Sequence, residues 1–177
     1  PGGKSMALAD AMPSLTLVAV ESDPERMQRV RENFERTQVQ AEIVVGDATN
    51  PIDWWDQKPF DRIVVDAPCS ATGIIRRHPD IKLRRREGDP QRFATTQLAL
   101  LEALWPLLGE DGELIYCTCS VLHTENDNVV ERFTSNNKSA KVLPIDVQWG
   151  TATTHGRQIT PGEAGMDGFY YARLGKG

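Results

Sequence analysis

The sequence predicts an α/β fold in which a mostly parallel, doubly wound sheet carries helices on both faces. Short β-branched runs recur along the chain, and segments with apolar residues at helical spacing separate them. No internal repeat or second composition regime interrupts this order. Alternating strands and helices of this kind fit easily only in such a sheet, and the length of 177 residues predicts one domain over residues 1–177.

The chain opens on Pro1-Gly2-Gly3-Lys4, and residues 5–12 have the small and apolar composition of a helix. Glycines before a helix allow the backbone N–H groups to approach a ligand closely. Such a loop normally follows the first strand of this kind of fold, and no residue precedes Pro1. We therefore expect a domain that is incomplete at its amino terminus, truncated ahead of its first strand and weakly active by itself.

Two strands and a helix are predicted next. A strand over residues 15–20 ends at Glu21, and a helix over residues 24–36 follows the capping residue Asp23. The remaining elements, in chain order, are a strand at 43–45, a buried strand at 62–65, a helix at 91–108, a turn at 109–112, a strand at 113–116, a helix capped and charged by residues 124–127, a strand at 141–143, an aperiodic polar segment at 148–166 and a closing edge strand at 169–174.

Composition excludes several classes of protein. No run approaches 18 apolar residues, and the amino terminus lacks the pattern of a signal peptide, so we expect a cytoplasmic protein without membrane contact. Three cysteines and three histidines are too few, and too irregularly spaced, for a disulfide framework or a zinc site. We therefore expect no metal.

Charge is unevenly distributed. The net charge is −5, yet seven basic residues stand against three acidic ones between Arg76 and Arg92. A basic segment directly after the Asp66–Cys69 loop is a candidate contact for nucleic-acid phosphates.

Three acidic residues, Glu21, Asp47 and Asp66, each end a predicted strand. One such residue is unremarkable, because Asp is common in turns, but three in register indicate a site. Glu21 lies 18 residues past Gly3, close to the roughly 20-residue spacing at which an acid binds ribose hydroxyls. With the glycine loop, they predict an adenosine cofactor: Glu21 for the ribose, Asp47 for the adenine edge and Asp66 nearer the reactive end. ATP is less favoured, because no full phosphate loop is present.

The cysteines divide into two kinds. A free cysteine is more often a small core residue than a nucleophile, and Cys117 fits that interpretation. Cys69 and Cys119 instead follow strands into loops on the ligand side, where helix N-termini or Lys4 would lower a thiol pKa from about 8.5. Strand alternation alone does not choose between Cys117 and Cys119, because both fall on one face.

Four motifs together resemble a known family. They are Pro-Gly-Gly-Lys at 1–4, Asp-Ala-Pro-Cys-Ser-Ala-Thr-Gly at 66–73, Arg-Arg-His-Pro-Asp at 76–80 and Thr-Cys-Ser at 118–120. The chain resembles the carboxyl-terminal catalytic part of the Sun/Fmu type of RNA cytosine-5 methyltransferase. The resemblance implies a Rossmann-like fold that uses S-adenosylmethionine to methylate carbon 5 of a cytosine in small-subunit ribosomal RNA.

The resemblance also implies roles for matching residues. Cys119 is similar to the nucleophile that adds to carbon 6 of cytosine, and Cys69 to the residue that helps to remove the carbon 5 proton and release product. Asp66 stands where the family holds the polar edge of the base, and Lys4 near the methionine end of the cofactor. Glu21 stands where the family usually has Asp.

We expect two sets of contact residues, one for the cofactor and one for RNA. We also expect a monomer. The expected cofactor contacts are Pro1, Gly2, Gly3, Lys4, Glu21, Asp47 and Asp66, and the expected RNA contacts are Arg76, Arg77, His78, Lys82, Arg84 and Arg85.

Two other functions stay open. An amino-group nucleic-acid methyltransferase carries an acid or amide before two prolines and an aromatic residue, and Cys69 argues against it. A catalytically silent RNA-binding or ribosome-assembly module would need neither Cys69 nor Cys119.

Overall fold

The computed structural model describes residues 2–176, so Pro1, an expected cofactor contact, lies outside the described residues. The chain divides into two compact units, Pro1–Asp56 and Gln57–Gly177. The predicted α/β class is confirmed, while the prediction of one domain stays a prediction.

The first unit alternates helices and strands: α1 (Gly3–Ala11), β1 (Val18–Glu21), α2 (Pro24–Thr37) and β2 (Glu42–Val45). The two strands pair in parallel, with Val18 opposite Glu42 and Glu21 opposite Val45.

Helix α2 forms where the sequence predicts it. Asp23 is its N-cap, and the carboxylate accepts the N–H groups of Glu25 and Arg26 at 2.8 and 3.3 Å. Its apolar stripe is fully buried and forms the core of this unit, composed of Met27, Val30 and Phe34.

The second unit carries the remaining strands and helices: β3 (Phe60–Asp66), α3 (Ile81–Arg84), α4 (Asp89–Leu104), β4 (Leu108–Thr118), α5 (Asp127–Asn136), β5 (Ala140–Leu143), β6 (Thr151–Ala152), β7 (Arg157–Ile159) and β8 (Phe169–Lys176). Among its described residues, no helix is long and apolar enough to cross a membrane, nor is one in the first unit.

The sheet of the second unit is mixed. Its strand order is β3-β4-β8-β7-β6, and β5 also pairs with β8. Only β3 and β4 pair in parallel, and the other described pairs are antiparallel. The prediction of a mostly parallel sheet therefore holds for the strands that carry the cysteine loops and not for the carboxyl-terminal half.

The closing strand is central, so its predicted edge position is wrong. Strand β8 pairs with β4 on one side, and with β5 and β7 on the other. Tyr170, Ala172 and Leu174 on one face of β8 are fully buried. An alternation of apolar residues predicts that one face of a strand is buried, but it does not indicate whether the strand has a neighbour on one side or on both.

Three element boundaries also differ from prediction. Helix α4 ends at Leu104 instead of residue 108, because Pro106 lacks an N–H and lies in a 3-10 turn at Trp105–Leu107. The predicted turn at 109–112 is an irregularity within β4, where the register jumps between Leu108 and Glu113. The polar segment at 148–166 contains the short hairpin of β6 and β7, which is too brief to show periodicity.

Candidate active site

The two cysteine loops leave neighbouring parallel strands at the same end. Asp66, the last residue of β3, is the register partner of Cys117 near the end of β4. Beyond that pair, the N–H of Ala67 donates to the Cys117 carbonyl at 2.9 Å, and the N–H of Gly73 donates to the Cys119 carbonyl at 2.8 Å. The loops therefore run side by side at the edge where α/β folds bind ligands.

The sulfur atoms of Cys69 and Cys119 lie 3.4 Å apart, and both residues are partly buried. Cys117 is only 1% exposed, and its thiol donates to the Val65 carbonyl at 3.3 Å, as expected of a core cysteine. Alternation places Cys117 and Cys119 on one face, but β4 ends at Thr118, and the pleat does not set the side-chain direction of Cys119 beyond that end.

The Cys69 thiol has a pKa well above its usual value. The main cause is its hydrogen bond with the Cys119 sulfur, followed by burial and by repulsion from a charge on Cys119. The expectation that neighbouring groups lower the thiol pKa is therefore wrong for Cys69. Its dominant neighbour is another sulfur, and at neutral pH Cys69 keeps its proton.

A buried carboxylate joins the two loops. Oε1 of Glu125 accepts the N–H of Ser70 at 2.7 Å, while Oε2 accepts the hydroxyls of Ser70 and Ser120, each at 2.5 Å. Sequence reasoning missed this role because a Glu beside Asn126 and Asp127 has the spacing of a helix-capping residue. Asn126 is the N-cap of α5, without a capping bond from its side chain, and Asp127 lies in the first turn, so both agree with that prediction.

Polar side chains from the rest of the second unit support the loops. Asn126 accepts the Thr118 hydroxyl at 2.6 Å and donates to the Ser120 carbonyl at 3.0 Å. Gln97, fully buried in α4, donates to the Pro68 carbonyl at 2.8 Å. The path of each loop is therefore fixed by hydrogen bonds from neighbouring elements.

The expected RNA contacts are of two kinds. Four of them bond to the protein itself: Arg76 with the Gly165 carbonyl at 2.6 Å, Arg77 with Asp167 at 2.6 Å, Arg84 with Asp80 at 2.9 Å and Arg85 with the Ser70 carbonyl at 2.6 Å. Arg85 is half-buried, whereas the other five residues of the set are exposed. The exposed side chains are the ones best placed for phosphates.

The expected cofactor residues of the first unit gather at one end of β1 and β2. Glu21 ends β1, accepts the Asp23 N–H at 3.2 Å and pairs with Arg26 at 3.2 Å. Asp47 follows β2, where bonds from the N–H and hydroxyl of Thr49 hold its carboxyl pKa below the usual value.

The glycine loop of the same unit leads into α1. Gly2 is the N-cap of that helix, with a φ of 83° that favours glycine, and a Cβ there would lie 3.0 Å from the Phe34 ring. Lys4 falls in the first turn of α1. The donor set fits an adenosine cofactor, because carboxylates accept bonds from ribose hydroxyls and an adenine amine, and a glycine N-cap leaves backbone N–H groups open.

Within residues 2–176, no group of three or more His, Cys, Asp or Glu side chains could hold a metal ion.

Comparisons with known proteins agree with these features. A sequence model described as 16S rRNA methyltransferase RsmB/F matches residues 1–175. The ribosomal RNA small subunit methyltransferase B of Pseudomonas putida is 49% identical over 175 residues, which cover 98% of this chain and 40% of the relative. The protein of the same name in Pseudomonas syringae pv. tomato is 50% identical over 180 residues, with the same coverage. The chain thus spans about 40% of the length of these relatives.

Solved structures give the same result. The chain is similar to NSun6 from Pyrococcus horikoshii with SFG, with a TM-score of 0.88 and 26% identity, covering 99% of this chain and 45% of that one. It is also similar to a methyltransferase homolog protein from Pyrococcus horikoshii, with a TM-score of 0.83 and 26% identity, covering 99% and 58% of the two chains. The Rossmann-like methyltransferase fold implied by the sequence motifs is therefore confirmed.

Proposed function

The chain belongs to the 16S rRNA methyltransferase RsmB/F family, and from that premise we propose that it methylates carbon 5 of a cytosine in small-subunit rRNA through a covalent adduct with Cys119. The observation that carries the proposal is the 3.4 Å separation of the Cys69 and Cys119 sulfurs. The loops that carry these two sulfurs follow adjacent parallel strands, at the end of the sheet where α/β folds bind ligands.

The chemistry of cytosine requires a nucleophile and a proton acceptor. Carbon 5 is a poor nucleophile, so a bond from the Cys119 sulfur to carbon 6 opens the ring double bond and moves its electrons toward carbon 5. Once carbon 5 is methylated, its proton is removed, the double bond returns and the carbon–sulfur bond breaks. Methylation of the exocyclic amine would need neither sulfur.

The second sulfur suits the proton-removal step. Free Cys69 holds its proton more tightly than an ordinary thiol, since its pKa is raised chiefly by the hydrogen bond with the Cys119 sulfur. When Cys119 is bonded to the base, that sulfur can no longer act as a thiolate partner, and the largest cause of the raised pKa is lost. Cys69 is then easier to deprotonate at the stage that needs a general base.

The cofactor in this proposal is S-adenosylmethionine, which supplies an electrophilic methyl group when bound. Glu21 would accept the ribose hydroxyls and Asp47 the adenine amine, with Gly2 and Gly3 presenting backbone N–H groups. Lys4, Asp66 and Pro1 complete the proposed cofactor contacts. Asp66 would also hold the polar edge of the cytosine.

The proposed substrate is rRNA, and its proposed contacts in the basic segment are Arg76, Arg77, His78, Lys82, Arg84 and Arg85. A cytoplasmic location and a monomeric state remain predictions that accompany this substrate.

The test uses three cysteine variants in a chimera, because the chain spans about 40% of its relatives. In the chimera, this chain replaces the matching residues of the Pseudomonas putida protein. With rRNA and cofactor, we expect Cys69→Ala to accumulate a protein–RNA adduct that survives denaturation, and Cys119→Ala to form neither adduct nor product. Cys117→Ala is the matched control, because its thiol is buried and bonded to Val65, and we expect activity within twofold of the parent.

Other outcomes separate the alternatives. Methylation by Cys119→Ala at the parental rate would rule out the covalent mechanism, and a methyl group on the exocyclic amine would identify an amino-group methyltransferase. Binding of rRNA without methyl transfer by the parent chimera would indicate a silent module. Running the 177-residue chain in parallel tests the expectation that it is weakly active alone.

A further inference from the structure

Glu125 contacts the residue that follows each proposed catalytic cysteine. We propose that its carboxylate is a positioning group that fixes the separation of the Cys69 and Cys119 sulfurs. The catalytic meaning of this proposal rests on the proposed function, whereas the geometric claim does not.

The bonding pattern supports a bridge between the loops. Ser70 and Ser120 directly follow Cys69 and Cys119, and both donate to the same carboxylate. Their hydroxyl oxygens are themselves 3.3 Å apart. With one carboxylate holding a residue adjacent to each sulfur, a shift of either loop must break at least one charge-assisted hydrogen bond.

Burial makes this bridge difficult to replace with water. Glu125 and Ser120 are fully buried, and Ser70 is 1% exposed. A buried carboxylate that loses its donors carries a large desolvation cost, so the three donors and the carboxylate hold one another in place. The Tyr116 hydroxyl adds a fourth constraint, because it donates to the Glu125 carbonyl at 2.5 Å.

A neighbouring residue provides a matched control. Asp127 is also a buried carboxylate, two residues along the chain, and its Oδ1 accepts the Thr153 hydroxyl, the His155 N–H and the Tyr170 hydroxyl at 2.8–2.9 Å. None of these donors belongs to a cysteine loop. Loss of the Asp127 charge therefore perturbs a buried carboxylate without touching the proposed bridge.

The test measures how readily the two sulfurs join, without RNA or cofactor. In a Cys117→Ala background, diamide takes two electrons and two protons from the thiols of Cys69 and Cys119, becomes the hydrazine and leaves one disulfide. We expect Glu125→Leu, which keeps a side chain of similar size but removes every hydrogen bond to the carboxylate, to slow this cross-linking at least tenfold. We expect Glu125→Gln, which still accepts from Ser70 and donates to the hydroxyl oxygens, to stay within threefold of the parent.

The Asp127→Asn control tests whether the effect is specific to the Glu125 bridge. Asp127→Asn should cross-link at the parental rate, and circular dichroism establishes that each variant is folded. Parental cross-linking by folded Glu125→Leu would overturn the proposal, as would equal slowing by Glu125→Leu and Glu125→Gln. If Glu125→Leu does not fold, the Ser70→Ala/Ser120→Ala double variant decides, since slowed cross-linking supports the bridge and a parental rate overturns it.

The methylation assay separates this proposal from the proposed function. In the chimera, we expect Glu125→Leu to lower kcat at least tenfold with KM for rRNA within twofold, and Glu125→Gln to restore most of kcat. If the parent chimera does not methylate rRNA but Glu125→Leu still slows cross-linking of Cys69 and Cys119, the bridge is supported and the proposed function is rejected.

Discussion

Arg85 donates its Nε–H to the backbone carbonyl of Ser70 at 2.6 Å, so a residue of the basic segment is tied to the Cys69 loop. Its guanidinium also lies 5.3 Å from the centroid of the Phe93 ring, within reach of a cation–π contact. The side chain is half-buried. The RNA contact expected of Arg85 stays a prediction, and its contacts within the protein are those of a residue that also stabilises the loop.

Arg85→Ala is expected to reduce stability more than RNA affinity. Loss of a charge-assisted hydrogen bond and of the ring contact should lower the free energy of unfolding by about 1–3 kcal/mol. Urea titration of the 177-residue chain measures this change. Lys82→Ala is the control, because Lys82 is exposed, and its stability should stay within about 0.5 kcal/mol of the parent.

RNA binding by the chimera should show the opposite order. Lys82→Ala should reduce the salt dependence of affinity by about one counterion, whereas Arg85→Ala should leave that slope unchanged. If Arg85→Ala weakens the salt dependence of RNA affinity and keeps parental stability, Arg85 contacts RNA and does not stabilise the loop.

Local signals in the sequence were enough to place the elements around the site. Pro24 after Asp23, and the β-branched run before Asp66, depend on residues adjacent in sequence, and the structure has α2 and β3 at these positions. The convergence of Cys69 and Cys119 could be predicted because the carboxyl ends of neighbouring parallel strands meet at one edge.

Features set by distant partners could not be predicted in this way. The role of Glu125 depends on Ser70, which is 55 residues away, and nothing in the spacing separates a buried bridge from a helix cap. The central position of β8 depends on strands from three different parts of the chain. The raised pKa of Cys69 likewise depends on the distance to another sulfur.

The raised pKa of Cys69 predicts a loss of stability at alkaline pH. Because folding raises the pKa of the Cys69 thiol above its ordinary value of about 8.5, the folded chain keeps a proton that the unfolded chain releases. This contribution to stability is complete below the pKa of the unfolded thiol and is lost as pH rises above it, by at most about 1.4 kcal/mol per pH unit. Cys69→Ser, which does not titrate in this range, should show a shallower decline between pH 8 and 10.

Urea titrations under reducing conditions measure how the free energy of unfolding falls between pH 8 and 10 in the parent and in Cys69→Ser. Burial also raises the pKa values of Tyr116 and Tyr170. Tyr170 contributes equally to both proteins, whereas repulsion from Cys69 adds to the Tyr116 shift, so the difference between parent and variant includes that contribution. Parallel slopes for parent and variant would contradict the proposed coupling between the two sulfurs.

Gly73 contacts both the Cys119 loop and the segment before β8. Its N–H donates to the Cys119 carbonyl, and its carbonyl accepts the N–H of Gly168 at 2.9 Å. A Cβ at this position would lie 2.1 Å from the Gly168 oxygen and 2.9 Å from the Cys119 oxygen. Both are backbone atoms, so no side-chain rotation can relieve the overlap.

Gly73→Ala should therefore lower the free energy of unfolding by about 3 kcal/mol and displace the backbone at Cys119. Because this displacement moves one sulfur relative to the other, diamide cross-linking of Cys69 and Cys119 should slow in the folded variant. Gly109→Ala is the matched control, since its Cβ would meet the Phe60 oxygen only at 3.6 Å, an ordinary contact. Equal stability and equal cross-linking rates in the two variants would show that the backbone around Gly73 shifts without moving Cys119. The close packing of the loops would then not determine the separation of the two sulfurs.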